Sequence, residues 1–242
     1  MPRIIAVIAS LCLLAYIVIA TVFLKKAERE ETCLEMQTVI RSRNDKPLIS
    51  EADIVASLKK ADLYPVGKSL SLVNTDRIEL EVMRIGLLSD VEAYKTPANI
   101  VKLSVTEKVP ILRVMTSGSD YYVDRDGGMM PANPKYATYV PLAAGYVEKS
   151  LATSDLYEFA LYLQEHDFWN NQIEQIYIRP DGEVELVPRA GNHRIILGRF
   201  ERFEEKLNHL KLFYEQAIPK MGWEKYSNIN LKYKNQIVCT KK

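Results

Sequence analysis

The chain has 242 residues, is 48% hydrophobic and 26% charged, and sets 32 basic against 31 acidic side chains, for a net charge of +1. That balance leaves no basic excess to neutralise nucleic-acid phosphates, so nucleic acid is set aside as a partner. The length suits one or two globular domains.

The first element is apolar. Ile4 to Leu24 contains no charged residue. At 1.5 Å per residue such a run spans about 31 Å, close to a hydrocarbon core of about 30 Å. Thirteen of its residues are Ile, Leu, Val or Phe. At roughly −0.3 to −0.6 kcal/mol each, they contribute about −4 to −8 kcal/mol towards insertion. A transmembrane helix is expected. The run continues through Thr21-Val22-Phe23-Leu24, too long for the h-region of a cleaved signal peptide, so the helix is expected to be retained. Arg3 flanks one end and Lys25, Lys26 and Arg29 the other, so charge alone leaves its orientation open. Residues 1–32 read as a short N-terminus, an anchor and a charged collar.

A small unit is expected over 33–106. Leu34 to Ile40 reads as a strand. Ser50-Glu51-Ala52-Asp53 starts a helix in the manner of a capping box, with Ile54, Val55, Leu58 and Ala61 at helical spacing. Asn74 or Thr75 opens a second helix carrying Ile78, Val82 and Ile85 on one face. Leu87 to Tyr94 and Asn99 to Glu107 read as paired strands, and Val101, Leu103 and Val105 mark the buried face of the second. The order is β-α-α-β-β.

The remainder, 107–242, reads as a mostly antiparallel β domain with two packed helices. Strands are expected at Ile111 to Met115 and Tyr121 to Val123, with a turn at Asp124-Arg125-Asp126-Gly127-Gly128. Ser154 opens a helix to about Phe168. Gln172 to Ile178 and Glu183 to Val187 flank Pro180-Asp181-Gly182 as a hairpin, and His193 to Leu197 is a strand. Phe200, Phe203, Leu207, Leu210, Tyr214 and Ala217 then line one face of an amphipathic helix.

Motifs that carry chemistry do not assemble. Gly67-Lys68-Ser69 lacks the earlier glycine of a phosphate loop, because Asp62 stands there. Asp124-Arg125-Asp126-Gly127 has Lys135 where a calcium loop needs its twelfth-position glutamate. His166, His193 and His209 fall on separate elements without an i,i+4 partner. No catalytic residue, cofactor, metal site or small-molecule substrate is expected. For Cys33 and Cys239 a disulfide and two unpaired thiols both stay open.

The last strand is the feature that suggests a partner. From Ser227 it alternates, with Ile229, Leu231 and Tyr233 on one face and Asn228, Asn230, Lys232 and Lys234 on the other. It is expected to continue past Asn235 and Gln236 into Ile237, Val238 and Cys239. A strand added last often lies at a sheet edge, where unpaired N–H and C=O groups can accept a partner strand. An internal strand that binds nothing has the same pattern.

The layout resembles the FtsQ/DivIB family of bacterial cell-division proteins, in a form like that of Bacteroidetes. Val105-Thr106-Glu107-Lys108-Val109-Pro110 followed by Tyr122-Val123-Asp124-Arg125-Asp126-Gly127 resembles the family's join between its POTRA and β domains. Asn230-Leu231-Lys232-Tyr233-Lys234-Asn235 resembles its C-terminal strand. Lys108 stands in place of the usual arginine, Asn230 of an aspartate and Lys232 of an arginine. The resemblance implies an inner-membrane, type II, single-pass scaffold, not an enzyme, with its bulk in the periplasm at the septum. It implies FtsB and FtsL as partners and control of septal peptidoglycan synthesis. The family's strand addition maps onto Asn230, Leu231, Lys232, Tyr233, Lys234, Asn235, Gln236, Ile237 and Val238. A POTRA-bearing envelope-transport binder and an anchored cell-wall enzyme without a familiar motif remain the alternatives.

Overall fold

A computed structural model describes residues 12–21, 31–44, 46–133 and 138–242. Of the expected membrane span 4–24, residues 12–21 are described and are helical; the rest lies outside the described residues. Among the described residues no helix is long and apolar enough to cross a membrane. The chain divides into two units, one of residues up to 43 with 47–107, the other of 44–46 with 108–242. Within the second unit Asn44 Nδ2 donates to Lys108 O at 3.0 Å.

The first unit runs β1 (Glu35–Arg41), α1 (Glu51–Lys60), α2 (Thr75–Met83), β2 (Leu88–Lys95) and β3 (Ile100–Glu107). Its sheet order is β1-β3-β2, with β1 parallel and β2 antiparallel to β3. The helix starts follow from local chemistry. Ser50 Oγ accepts Asp53 N and the Asp53 carboxylate accepts Ser50 N, the reciprocal capping box. Asn74 Oδ1 accepts Arg77 N at 2.9 Å and caps α2. Ile54, Leu58, Ile78 and Val82 of the helices bury against Val101, Leu103 and Val105 of the central strand.

The second unit is one nine-stranded sheet with helices on one face. Its elements are β4 (Pro110–Met115), β5 (Asp120–Asp124), β6 (Met129–Pro131), β7 (Leu142–Gly145), α3 (Lys149–Ala152), α4 (Asp155–Glu165), α5 (Asp167–Gln172), β8 (Ile173–Ile178), β9 (Val184–Pro188), β10 (Arg194–Gly198), α6 (Phe203–Gln216), α7 (Ile218–Met221), β11 (Tyr226–Asn230) and β12 (Val238–Lys241). The strand order is β12-β11-β10-β9-β8-β7-β4-β5-β6. The pairs β4/β7, β7/β8 and β10/β11 are parallel and the others antiparallel.

Leu156, Phe159, Ala160 and Leu163 of α4, with Leu207, Leu210 and Tyr214 of α6, cover Leu112, Val114, Ile176, Leu186, Ile195 and Ile229. These are the two expected helices, joined by the shorter α3, α5 and α7. The helix expected to reach Phe168 stops earlier. His166 is extended (φ −119°, ψ 98°) and separates α4 from α5.

Candidate partner-binding edge

The C-terminal residues form a hairpin and not one continuous strand. β11 lies parallel to β10, with Ile195 beside Ile229 and Ile196 beside Asn230. On its other side β11 pairs antiparallel with β12, Asn230 facing Val238. Asn230 therefore has a bonded strand on each side. Leu231 is buried and donates its N–H to Ile196 O at 2.9 Å. Lys232 N turns back to Asn230 Oδ1 at 3.0 Å. Tyr233 and Lys234 are exposed, Gln236 N reaches Tyr233 O, and Asn235 sits at φ +59°. Asparagine tolerates that left-handed conformation better than most residues, which is why the chain reverses there. Ile237 packs on the core and Val238 opens β12.

The open edge is β12. Lys242 N donates to Lys225 O, and antiparallel alternation from that bond turns the N–H and C=O of Thr240 and Val238 towards β11. Those of Cys239 and Lys241 point away. Among the described residues no strand pairs with this outer side. The opposite end of the sheet is β6, only three residues long and closed by Pro131, which has no N–H to offer.

Charge around the hairpin is partly committed. Lys232 Nζ binds Glu183 Oε1 at 2.6 Å, and that bond raises the ammonium above its ordinary range. Its stem crosses Gly198, where a Cβ would lie 2.8 Å from Lys232 Cγ. Lys232 thus ties the loop to the start of β9 and is not free to steer a partner. Lys242 Nζ pairs with Glu224, and the contact holds that carboxyl below its usual value. Leu231, Tyr233 and Ile237 meet Arg202, Glu205 and His209 of the α6 region in a small crevice behind the loop. Sequence reasoning missed Cys239 to Lys241 as the outward edge, although Asn235 was a readable turn signal.

Beneath the hairpin, His193 Nε2 lies 2.7 Å from Tyr214 OH and its ring stacks on Trp223. Burial pushes the imidazole pKa down and the phenol pKa up. Cys33 and Cys239 are both free thiols, Cys33 Sγ contacting Glu35 O.

The join motif has a structural account. Buried Glu107 Oε1 accepts Leu48 N and Ile49 N at 2.7 and 3.0 Å. Lys108 Nζ binds Asp124 Oδ2 at 2.7 Å, while Asp124 Oδ1 accepts Asp126 N and Gly128 N. Both oxygens of Asp124 are engaged, Oδ1 in closing the turn and Oδ2 with Lys108.

A three-stranded β-α-α-β-β unit followed by a helix-backed sheet with one open edge defines a two-domain α+β architecture. Residues 31–106 match the POTRA-like domain model, and residues 109–240 match the model described as FtsQ/DivIB, C-terminal related. The chain belongs to the FtsQ/DivIB family. The cell division protein FtsQ of Rhodothermus marinus is 30% identical over 154 residues, which covers 59% of this chain and 56% of that relative. The chain thus spans little more than half the length of this curated relative. The major extracytoplasmic domain of the trans isomer of the cell division protein DivIB from Geobacillus stearothermophilus is 14% identical with a TM-score of 0.35, covering 47% of this chain and 97% of that one.

Proposed function

We propose that this protein is a membrane-anchored scaffold of the cell-division machinery that captures FtsB by strand addition and, with FtsL, helps control septal peptidoglycan synthesis. Family membership supports the division role. The observation that carries the binding mode is β12, whose outer Cys239 and Lys241 main-chain groups have no partner strand among the described residues. The apolar run 4–24 serves as a single-pass type II anchor in the inner membrane, with the two domains in the periplasm at the septum. The protein is not an enzyme on this reading.

The proposed contact moves from the loop to the strand after it. Asn230 and Leu231 already bond to β10 and β12, so a partner strand runs along 238–241, with Tyr233 and Lys234 at its margin. The double variant Cys239→Pro with Lys241→Pro tests this. Proline is tolerated where the edge N–H faces solvent, and it removes a donor that an added strand needs. Capture of FtsB by the full chain should fall at least roughly tenfold, the loss expected from two hydrogen bonds. A Thr240→Ala control should bind as the parent does. Unchanged capture by the folded double variant sinks the proposal. Depletion of the protein in its source bacterium should give filaments without septa; normal division would refute the division role.

A further inference from the structure

The POTRA-like unit has two sheet edges, and only one of them is closed. On β2, Ala93 N donates to Glu79 Oε1 at 2.7 Å and α2 packs along the strand. Lys95 Nζ reaches Leu70 O beside it. On β1, by contrast, no strand lies outside residues 37–41 among the described residues. Ala93 N faces Glu79 and not β3, so Leu103, which lies opposite Ala93, turns its N–H and C=O to β1, where they meet Gln37 and Val39. Alternation then turns the main-chain groups of Met36, Thr38 and Ile40 outward. A bare edge of this kind is a template for another strand.

The sequence of the edge identifies the strand that fits. β1 reads Glu35-Met36-Gln37-Thr38-Val39-Ile40-Arg41. Laid antiparallel on a copy of itself about Thr38, it places Glu35 opposite Arg41, Met36 opposite Ile40, Gln37 opposite Val39 and Thr38 opposite Thr38. Opposite charges meet at both ends, apolar side chains meet on the helix-covered face, and two hydroxyls meet at the centre. Each of these cross-strand pairings is favourable.

The backbone phase agrees independently. Thr38 directs its main-chain groups outward, so the central pair is the hydrogen-bonded kind, in which the two copies exchange both N–H···O bonds. Met36 and Ile40, two residues to either side, also have outward groups and exchange bonds with Ile40 and Met36 of the second copy. Any register centred between two residues would set an outward group against an inward one.

A further observation points the same way. Val39 is 54% exposed on the strand, and pairing would cover it. β1 ends at Arg41, the residue that reaches Glu35. The antiparallel mate therefore leaves the edge before residues 31–33, where Cys33 already pairs with Gly67 and Lys68.

We propose that the β1 edge docks a second copy of this chain. The result is an isologous dimer in which two three-stranded sheets join as β2-β3-β1-β1-β3-β2 about a two-fold axis through Thr38. This surface is separate from the C-terminal edge and does not rest on the reading given for it.

The test uses the full chain in detergent solution. Thr38→Cys should form a disulfide-linked dimer under mild oxidation at least tenfold faster than Val39→Cys or the parent, because only position 38 faces itself, at about 5.5 Å between Cα atoms and within disulfide reach. Glu35→Arg and Arg41→Glu should each weaken self-association, by sedimentation equilibrium, roughly tenfold through like charges at both ends. The Glu35→Arg/Arg41→Glu double variant should recover to within about twofold, since the exchange restores both pairs. Should a single variant fold poorly, the cysteine comparison and the double variant still decide. A chain that stays monomeric, equal cross-linking at 38 and 39, or a double variant no better than the singles would overturn the proposal.

Discussion

Lys108→Met tests the reading of the join motif. The substitution removes the cation from a pair whose N–O distance is 2.7 Å, leaving a carboxylate side chain that is only 3% exposed. Breaking a buried pair from one side costs about 3–5 kcal/mol. Asp124 keeps its bonds from Asp126 N and Gly128 N at 2.9 and 2.8 Å. The Lys108 side chain is 21% exposed, so water reaches that side of the pair. The expected loss is therefore smaller, about 2–3 kcal/mol. For a unit of this size that corresponds to a fall of roughly 6–9 °C in Tm. Both tryptophans, Trp169 and Trp223, lie in the second unit, so urea unfolding followed by their fluorescence reports that unit alone. Adding Asp124→Asn removes the stranded charge while retaining an acceptor for the two amides. It should return stability to within about 1 kcal/mol of the parent. A Lys108→Met loss below about 0.5 kcal/mol, or a double variant as unstable as the single, would refute the assignment.

Gly145→Ala should be strongly destabilising, by about 3 kcal/mol or more, since the residue sits at φ +92° and a Cβ would lie 2.2 Å from Ile178 O; a urea midpoint near that of the parent would contradict the β7–β8 approach. Phe159→Ala should cost about 3–5 kcal/mol, because the fully buried ring packs on Phe200 and Phe203, and thermal unfolding would check it. Burial lowers the His193 pKa, with Glu224 and Lys242 acting in opposite senses beside it. Its folded value lies below the unfolded one, so its contribution to stability is intact above about pH 6.5 and is lost as pH falls from there towards the folded pKa. The tryptophan-reported urea midpoint should drop between about pH 7.5 and 5.5, and His193→Phe should flatten that slope; an equal slope in the variant would reject the assignment.

The first unit was legible because its signals are local. The Ser50–Asp53 reciprocal cap, the Asn74 cap and the alternation of Val101, Leu103 and Val105 each act within a few residues, and each appears where expected. The second unit was legible only where a strand or helix announces itself. β6 and β7 are three and four residues long, too short for a period to show. Their places depend on long-range parallel pairing of β7 with β4 and β8. The same limit governed the C-terminal site. Alternation from Ser227 to Lys234 continued past the end of β11 by coincidence, and it outweighed the turn signal of Asn235. Lys232 looked like a free edge guard because its partner Glu183 is 49 residues away in sequence.

Among the described residues four strands end a sheet: β1, β2, β6 and β12. An exposed edge invites indiscriminate pairing, so a stable protein blunts the edges it does not use. β2 is blunted by Glu79 on its Ala93 N–H, and β6 by brevity and Pro131. The two edges left open differ in what they can accept. β1 carries its own complement, with Glu35 and Arg41 equidistant from Thr38. β12 has Lys241 within it and Lys234 in the turn before it, with no acidic residue from 232 to 242. A second copy of β12 would bring only more lysine, so the favoured strand there is an acidic one from a different protein. On this accounting the proposed self-association and the proposed capture of FtsB draw on separate edges, β1 and β12, and not on the same main-chain groups.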